Sequence, residues 1–444
     1  YLIETDLVDR KYIDSYCEQF DSYSHFIANL SWTELESECG LEQSQIESLA
    51  NLYAQSERTV FSWGMGLTHH HNGTDNIEAI ASLALLRGMI GGEGKGLLPL
   101  RGHSNVQGVG SMGVTPALKT EVFSAIEKEF KVELPKHEGM DTLACIQAAN
   151  RGEIDFAFLL GGNLFAANPD TSFSGRALSK IPFKVMISST LNQTHLNGVE
   201  GENLILPIRV RDEETQATTQ ESMFNYLRMS DGGLDRIEAL RSEVEIISSI
   251  AAGVIDSGTL DFREFERHDS IRKAIAKLIP GFAALADIDE TKTEFHIEGR
   301  YLAKPHFMTK SGKANFCIPT QTSWNTKTAE NTNQFTLTSV RSEGQFNTII
   351  YSEEDVYRRQ SHRKVLFISA EDIEKLKLKT EDKVDVSNAT GTLSSFSIAL
   401  YDIKPGNVMC YFPEANVLVP QSVDQRSRTP SFKSVSVSIM KAMA

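Results

Sequence analysis

The stretch Pro99–Pro116, PLRGHSNVQGVGSMGVTP, combines residue types that suit a large polar ligand. Its four glycines allow the backbone to approach a ligand and to turn at positive φ. Its amide and hydroxyl side chains can orient a polar group without adding net charge. Its single arginine, Arg101, offers a forked cation for phosphate or carboxylate. We predict a cofactor-binding loop that also reaches the substrate, the alternative being a flexible polar surface loop.

A second glycine-punctuated run, GMGLTHHHNG at Gly64–Gly73, follows a β-branched and aromatic segment, Glu57–Trp63. The apolar run NIEAIASLALLRGMIG comes next and predicts a helix. Strand, glycine loop and helix in this order form the phosphate-binding arrangement of doubly wound sheets. The spacing is not GxGxxG, so the nicotinamide-type fingerprint is absent. An ordinary turn at the end of a strand is the alternative.

The elements that would hold these loops alternate between helices and short apolar strands. We predict strands over Ile154–Leu160, Phe183–Ile187 and Glu202–Pro207, with helices between them. This alternation indicates a parallel α/β sheet. Ligands bind beyond the carboxyl ends of such strands, where the loops that begin at Gly64, Gly161 and Ser188 are expected.

The flanking regions predict other structures. Residues 1–54 read as helices, with a capping box formed by Ser31 and Glu34. Gln220–Leu285 is predicted to be helical, including the run ESMFNYLRMSDGG, and Gln321–Asn333 reads as a linker. The last hundred or so residues alternate short strands with the small helix AEDIEKL, which predicts a compact β barrel.

Composition restricts the classes of function. The formal charge of -15 and the pI near 5.3 disfavour nucleic-acid binding, and no apolar run reaches membrane-spanning length. Five scattered cysteines argue against an iron–sulfur or zinc site built within these residues. They fit a reducing compartment, so we expect a cytoplasmic protein. Because the chain starts without Met, we expect it to be a C-terminal portion of a longer protein.

Several motifs together resemble one family. GMGLTHHHNG and PLRGHSNVQG, followed by GGNLFAANPD, STLNQTHLNG, TSVRSEGQFNT, PEANVLVP and RTPSFK, resemble the molybdopterin guanine dinucleotide oxidoreductases of the DMSO reductase superfamily. The formate dehydrogenase α-subunit branch is the most similar, and the resemblance runs from about Leu7 over nearly the whole chain. It implies two molybdopterin guanine dinucleotides with Mo or W. It also implies a 4Fe-4S cluster and a metal ligand on a portion before Tyr1.

The resemblance also implies a fold class: α/β, with Rossmann-like parallel-sheet domains followed by a C-terminal double-psi β barrel. We divide the chain into residues 1–103, part of one α/β molybdopterin domain, and 104–215, a second one. Residues 216–330 are a helical or irregular connecting region, and 331–444 are the barrel domain that binds the dinucleotide.

The site residues are carried over from the family's motifs. Arg101 is expected to face the substrate, and Asp170 to accept from the guanine. This chain has Ser342 and Gln345 where formate dehydrogenases often have Glu and His, which puts the local hydrogen-bonding scheme in doubt. No metal ligand is expected within the chain. The expected cofactor-binding residues are Gly64, Met65, Gly66, Thr68, Gly102, His103, Asn105, Gln107, Gly108, Gly162, Asn163, Asp170, Thr190, Asn192, Thr194, Arg341, Ser342, Gln345, Asn416 and Lys433.

Three functions remain open at this point. The first is the cofactor-binding portion of a formate dehydrogenase-like oxidoreductase, inactive by itself, that exchanges two electrons with formate or a similar small molecule. Its expected partners are its own N-terminal portion and an electron-transfer protein, with no nucleic acid and no membrane segment. The second is a structural, metal-free subunit of an electron-transfer assembly, and the third is a generic nucleotide-binding α/β protein.

Overall fold

The computed structural model describes residues 1–256, 258, 260–300, 302–319 and 333–443. The predicted linker Gln321–Asn333 lies outside the described residues except for its last position. Among the described helices, none has both the length and the apolar character needed to cross a bilayer.

The first hundred residues contain α1 Arg10–Tyr16, β1 Cys17–Glu18, α2 Phe20–Ala28, α3 Trp32–Cys39, α4 Gln43–Gln55, β2 Val60–Trp63, α5 Met65–Thr68, α6 Gly73–Leu86 and β3 Gly96–Pro99. The middle of the chain contains α7 Val106–Ser111, α8 Thr120–Phe130, α9 Thr142–Arg151, β4 Phe156–Leu160, α10 Leu164–Ala167, α11 Thr171–Leu178, β5 Phe183–Ser188, β6 Glu202–Pro207, β7 Thr218–Glu221, β8 Tyr226–Ser230, α12 Glu243–Val254, α13 His268–Leu278, α14 Ile288–Thr291 and β9 Phe295–His296. The remainder contains β10 Ala314–Asn315, β11 Gln334–Val340, β12 Val365–Ile368, α15 Ala370–Lys375, β13 Lys383–Ser387, β14 Thr392–Leu400, β15 Asn407–Tyr411 and β16 Val435–Lys441.

These elements form two compact units. The first unit comprises the described residues of Tyr1–Leu100, Arg300–Thr332 and Ser422–Ser431. The second comprises those of Arg101–Gly299, Asn333–Gln421 and Phe432–Ala444. Each unit is assembled from segments that are distant in sequence. The division into four consecutive domains stays a prediction.

The first unit packs helices against a small sheet. β2 and β3 pair in parallel, and the core includes Ile13, Leu85 and Phe316. The predicted helices of residues 1–54 are confirmed. The predicted capping box of α3 is wrong, because the Ser31 side chain makes no capping hydrogen bond. A capping box forms instead at α4, between Glu42 and Gln45.

The second unit begins with the predicted parallel sheet. Its order is β4-β5-β6, and Leu160 pairs with Ile187, which pairs with Leu206. Helices α9 and α11 cover one face through an apolar cluster that includes Ile146 and Leu178. Ile246 of α12 packs on the other side. The sheet is therefore a covered parallel sheet, as predicted, and the segments after β4 and β5 lie at its carboxyl edge.

The run ESMFNYLRMSDGG is a hairpin, so the prediction of a helix there was wrong. β7 and β8 pair antiparallel, and Asn225 turns the chain in the left-handed region at φ 53. Leu227 of β8 is buried against Phe282 and Leu285. Tertiary packing of this strand outweighs the helical pattern of the sequence.

The C-terminal part closes into a six-stranded barrel, as predicted. Its strand order is β11-β15-β12-β14-β13-β16, with β11–β15 and β12–β14 as parallel pairs. The interior is apolar and includes Leu337, Leu366, Val384 and Val408. A closed barrel leaves no unpaired strand edge, so its loops are carried by a rigid support.

Candidate functional site

The loop at Arg101 folds into a short helix, α7, whose start is fixed by Asn105. Asn105 has φ 62, and its side-chain oxygen accepts from the backbone N–H of Glu221 at 3.0 Å. A Cβ on Gly108 would lie 2.0 Å from that oxygen. The buried Glu221 carboxylate also accepts from Ser111 at 2.5 Å. Asn105 and Gly108 therefore anchor the loop on the β7–β8 hairpin.

The part of the loop before α7 is more open. Arg101 and Gly102 are exposed, and Gln107 is half-buried. The backbone N–H of Arg101 points to the sulfur of Met223 at 3.4 Å, so the hairpin also positions this residue. A Cβ on Gly102 would meet no atom within 4 Å. An exposed guanidinium next to open backbone is suited to an anionic ligand.

His103 brings the loop against the barrel. Its ring packs on Phe346 with centroids 4.4 Å apart, and Arg341 donates to the carbonyl of Phe346 at 3.0 Å. Burial and the nearby Arg341 charge lower the pKa of His103. Burial and Arg341 also lower the pKa of Lys433 to about 8, and its amine donates to the carbonyl of Ser339. Three basic side chains thus converge on one region.

A polar network occupies the carboxyl edge of the sheet. The buried Asn163 side-chain oxygen accepts from the Thr194 hydroxyl at 2.9 Å. Asn192 donates to the carbonyl of Gly162 at 2.9 Å. Gly161 and Gly162 have φ 62 and 73, and a Cβ on either would meet no atom within 4 Å. Thr190 lies in the same segment and is exposed.

This edge is hydrogen-bonded to the barrel. Asn163 donates to the carbonyl of Thr348 at 3.0 Å, and Asn416 donates to the carbonyl of Ala166 at 2.7 Å. The Asp170 carboxylate caps α11 through Phe173 N–H at 3.0 Å and accepts from Gln421 at 3.0 Å. The structure therefore brings together residues from segments that lie far apart in the sequence.

Ser342 and Gln345 are buried, and protein groups already use their side chains. Gln345 accepts from the Ser342 backbone at 3.0 Å and donates to the carbonyl of Phe412 at 2.7 Å. The buried Arg363 donates to Ser342 at 2.8 Å and forms an ion pair with Glu414 at 2.5 Å. Ser342 and Gln345 thus help to shape the loop that follows β11. Their contact with a cofactor stays a prediction.

The remaining predicted residues belong to the first unit. Gly64 begins α5, which contains Met65, Gly66 and Thr68, directly after β2. A Cβ on Gly64 or Gly66 would meet no atom within 4 Å. This is the strand–turn–helix arrangement that the sequence predicts.

Asp424 fixes the 422–431 segment to the start of α6 by accepting from Thr74 N–H at 3.0 Å. Burial works to raise the pKa of Asp424. Hydrogen bonds from Ser427 and Thr74 outweigh this effect and hold the pKa well below its usual range.

The residues of the second unit fit a large anionic cofactor. The glycine backbone at Gly161 and Gly162 faces open space, and Arg341 and Lys433 supply positive charge. His103 Nδ1 and Asn416 Oδ1 are buried and have no hydrogen-bond partner among the described residues. Buried polar atoms without partners are rare in proteins, so a bound group is a natural partner for them.

Sequence reasoning missed the residues that hold this site in place. Phe346 packs its ring on His103, and Thr348 accepts a hydrogen bond through its backbone carbonyl. Arg363 and Glu414 form an ion pair, and Gln421 donates from its side chain to Asp170. Phe346 and Thr348 lie inside the motif TSVRSEGQFNT, and Glu414 lies inside PEANVLVP, so these motifs carried a signal that could have identified all three.

Two known protein families match separate parts of the chain. Residues 33–222 match the family described as "Molybdopterin oxidoreductase". Residues 335–436 match the "Molydopterin dinucleotide binding domain".

Similar proteins are found among curated sequences and solved structures. An uncharacterized oxidoreductase of Mycobacterium bovis is 34% identical over 97% of this chain and 57% of its own length. The F420-dependent formate dehydrogenase subunit alpha of Methanocaldococcus jannaschii is 25% identical over 99% of this chain and 66% of its own length. The acetylene hydratase of Pelobacter acetylenicus has the same fold, with a TM-score of 0.73 and 12% identity over 99% of this chain and 69% of its own. The chain thus spans 57% of the length of the mycobacterial relative.

Proposed function

Because this chain belongs to the molybdopterin oxidoreductase family, we propose that it is the cofactor-binding portion of an oxidoreductase acting on formate or a similar small substrate. The observation that carries the proposal is the convergence of His103, Arg341 and Lys433 beside open glycine backbone. This is a cationic, partly buried setting for the phosphates of a dinucleotide. The relative named as a formate dehydrogenase subunit supports formate as the substrate class.

We propose that the cofactor consists of two molybdopterin guanine dinucleotides with Mo or W. When bound, this group supplies the two-electron exchange with the substrate. His103, Asn163, Asn192, Thr194 and Asn416 hold its polar edges in this proposal. Arg341 and Lys433 neutralise its phosphates.

Arg101 has a separate role in the proposal. Its exposed guanidinium orients an anionic substrate by charge-assisted hydrogen bonds and stabilises negative charge during the reaction. The bond from its backbone N–H to Met223 keeps it at the open end of the loop.

The rest of the enzyme in this proposal lies outside this chain. A further portion provides the metal ligand and a 4Fe-4S cluster, and an electron-transfer protein accepts the electrons. This chain alone is then inactive. We also propose a cytoplasmic location, because all five cysteines are free thiols.

Metal and cofactor analysis of the full-length protein that contains this chain tests the proposal. We expect Mo or W, and guanine nucleotide released by acid. If both are absent, the chain is a structural, metal-free subunit instead. Retention of the whole Arg101–Gly108 motif favours the enzyme over that alternative.

Substitution of Arg101 tests its role in substrate binding. In the full-length enzyme, Arg101→Met should lower kcat/KM for formate at least 100-fold and leave the metal and guanine content unchanged. Arg211→Met is the matched control, because Arg211 is an exposed arginine bonded to Gln220 at 2.8 Å. Equal losses in the two variants would contradict the assignment.

A further inference from the structure

A cavity of about 640 Å³ lies within the second unit, apart from the polar network described above. It is enclosed by α7, the β7–β8 hairpin, the start of α12 and helix α13. Cavities of this volume commonly hold small organic ligands. Its wall includes Asn105 and Gly108, which the sequence predicts to bind the cofactor. The structure uses both to anchor α7 on the hairpin, and the proposed function assigns no ligand to this space.

Much of the cavity wall is apolar. Met112, Ile208, Leu227, Ile275 and Phe282 line it, and Leu227 and Phe282 are almost completely buried. Such a surface favours a ligand with an apolar body.

His268 adds an unpartnered acceptor to this wall. The residue is only 9% exposed, and its Nδ1 lies 3.1 Å from the carbonyl of Ala217. Because a carbonyl can only accept, Nδ1 must carry a proton, and Nε2 is the acceptor in that tautomer of the ring. This Nε2 has no hydrogen-bond partner among the described residues.

Glu214 places a second acceptor next to the first. It is 7% exposed, and its Oε1 accepts from the backbone N–H of Gln216 at 3.0 Å. Its Oε2 lies 3.8 Å from His268 Nε2, too far for a hydrogen bond between them. One nitrogen with two or three N–H groups can donate to both atoms.

The arginines of the cavity are engaged with other groups. Arg272 pairs with Asp289 at 2.8 Å, and Arg209 donates to Asp235 at 3.3 Å through one guanidinium nitrogen. The Nε of Arg209 has no partner among the described residues, which provides a donor for an acceptor elsewhere on the ligand. Arg211, the third arginine of the cavity wall, donates to Gln220 at 2.8 Å, so the hydrogen bonds described for these arginines go to groups other than Glu214 and His268.

We propose that this cavity binds a small amphipathic primary amine. The amine donates to Glu214 Oε2 and His268 Nε2, and the apolar body packs against the partly exposed Met112 and Ile275. The proposal goes beyond the proposed function and does not depend on it.

Calorimetric titration of the full-length protein that contains this chain, at pH 7.5, tests the proposal, with tryptamine as the probe. We expect saturable binding at one site, and at least tenfold weaker binding of indole-3-propionate, which has the same ring and a carboxylate. Glu214→Gln should weaken tryptamine binding at least tenfold. Glu238→Gln removes the same charge at an exposed position outside the cavity and should leave binding unchanged.

A second measurement uses only the unaltered protein, in case Glu214→Gln does not fold. A photoreactive tryptamine should label residues of the cavity wall, within 104–112, 208–227, 242–244 or 268–285, and free tryptamine should compete with the labelling. The proposal is overturned by absence of saturable binding, by equal binding of indole-3-propionate, by labelling elsewhere, or by equal effects of the two glutamate variants.

Discussion

Gly108 is a position where a single methyl group would disturb the anchored loop. A Cβ there would lie 2.0 Å from Asn105 Oδ1, the atom that accepts from Glu221 N–H. Forcing an atom into this space strains the loop and breaks the hydrogen bond. We expect Gly108→Ala to lower the free energy of unfolding by about 2 kcal/mol, as measured by urea titration.

Gly110 gives the matched control for this prediction. It lies in the same helix, α7, and a Cβ there would meet no atom within 4 Å. Gly110→Ala should therefore be neutral or stabilising by up to about 1 kcal/mol. Similar losses in both variants would show that α7 does not have the packing described.

Lys433 should titrate in an unusual range. Burial and the charge of Arg341 lower its pKa to about 8. Arg341→Met should therefore raise the titration midpoint of Lys433, which ¹³Cε NMR of this side chain measures. Since the unfolded chain holds this proton up to a higher pH, unfolding free energy should rise as pH increases above 8. A Lys433 midpoint that does not move in Arg341→Met would contradict the proximity of the two charges.

The family's motifs mark some of the polar side chains that the structure brings together, but not what these side chains contact. Asn163, Thr194 and Asn416 form one network that connects sheet and barrel, and sequence patterns mark each as polar and near a strand end. The partners of Asn163 and Asn416 include backbone carbonyls of distant segments. A carbonyl has no residue type, so no motif could have revealed these bonds.

A buried arginine stabilises the loop between β11 and β12. Arg363 is almost completely buried, bonds Glu414 at 2.5 Å and lies over the rings of Tyr351 and Tyr411. Arg363→Met would leave the Glu414 carboxylate without its partner. We expect a loss of about 3 kcal/mol in unfolding free energy, measured by chemical denaturation.

An exposed pair provides the comparison for Arg363. Arg151 bonds Glu153 at 2.7 Å, and its side chain is 56% exposed. Arg151→Met should lower the free energy of unfolding far less than Arg363→Met does, because solvent screens the exposed pair. If both variants lose the same stability, the buried pair does not hold the loop.

Strands were predictable where the sequence carries a local signal. β4, β5 and β6 are apolar runs between turn residues, and the alternating β11 is also recognisable. The β7–β8 hairpin could not be predicted in this way. Its stability comes from contacts with α7 and from burial of Leu227 among residues more than 50 positions away in the sequence. Long-range packing of this kind leaves no periodicity in a short segment.

At the scale of the whole molecule, the resemblance predicted the family, and periodicity predicted the order of parallel sheet and barrel. Neither revealed how the units are composed. The segment Ser422–Ser431 lies between two barrel elements in sequence but belongs to the first unit. Asp424 and Arg426 bind α6 of that unit, through Thr74, Asp75 and Glu78. Such an exchange of segments depends on specific ion pairs and hydrogen bonds rather than on composition.

Two buried cysteines report on the two units separately. Cys17 lies in the core of the first unit, where burial raises its pKa to about 11, and Cys410 lies in the barrel core, where burial also raises its pKa. Pulsed alkylation at pH 8 with mass spectrometry should therefore label the exposed Cys39 in the native protein and leave these two unmodified.

With increasing urea, Cys410 should stay protected to a higher concentration than Cys17. Its strand β15 is paired on both sides in a closed barrel, whereas β1, which contains Cys17, pairs over only two residues with β10. Opening the barrel requires several strand pairs to separate together, so local exposure of its core thiol is costly. Labelling of Cys410 before Cys17, or of either thiol in native buffer, would contradict this order of stability.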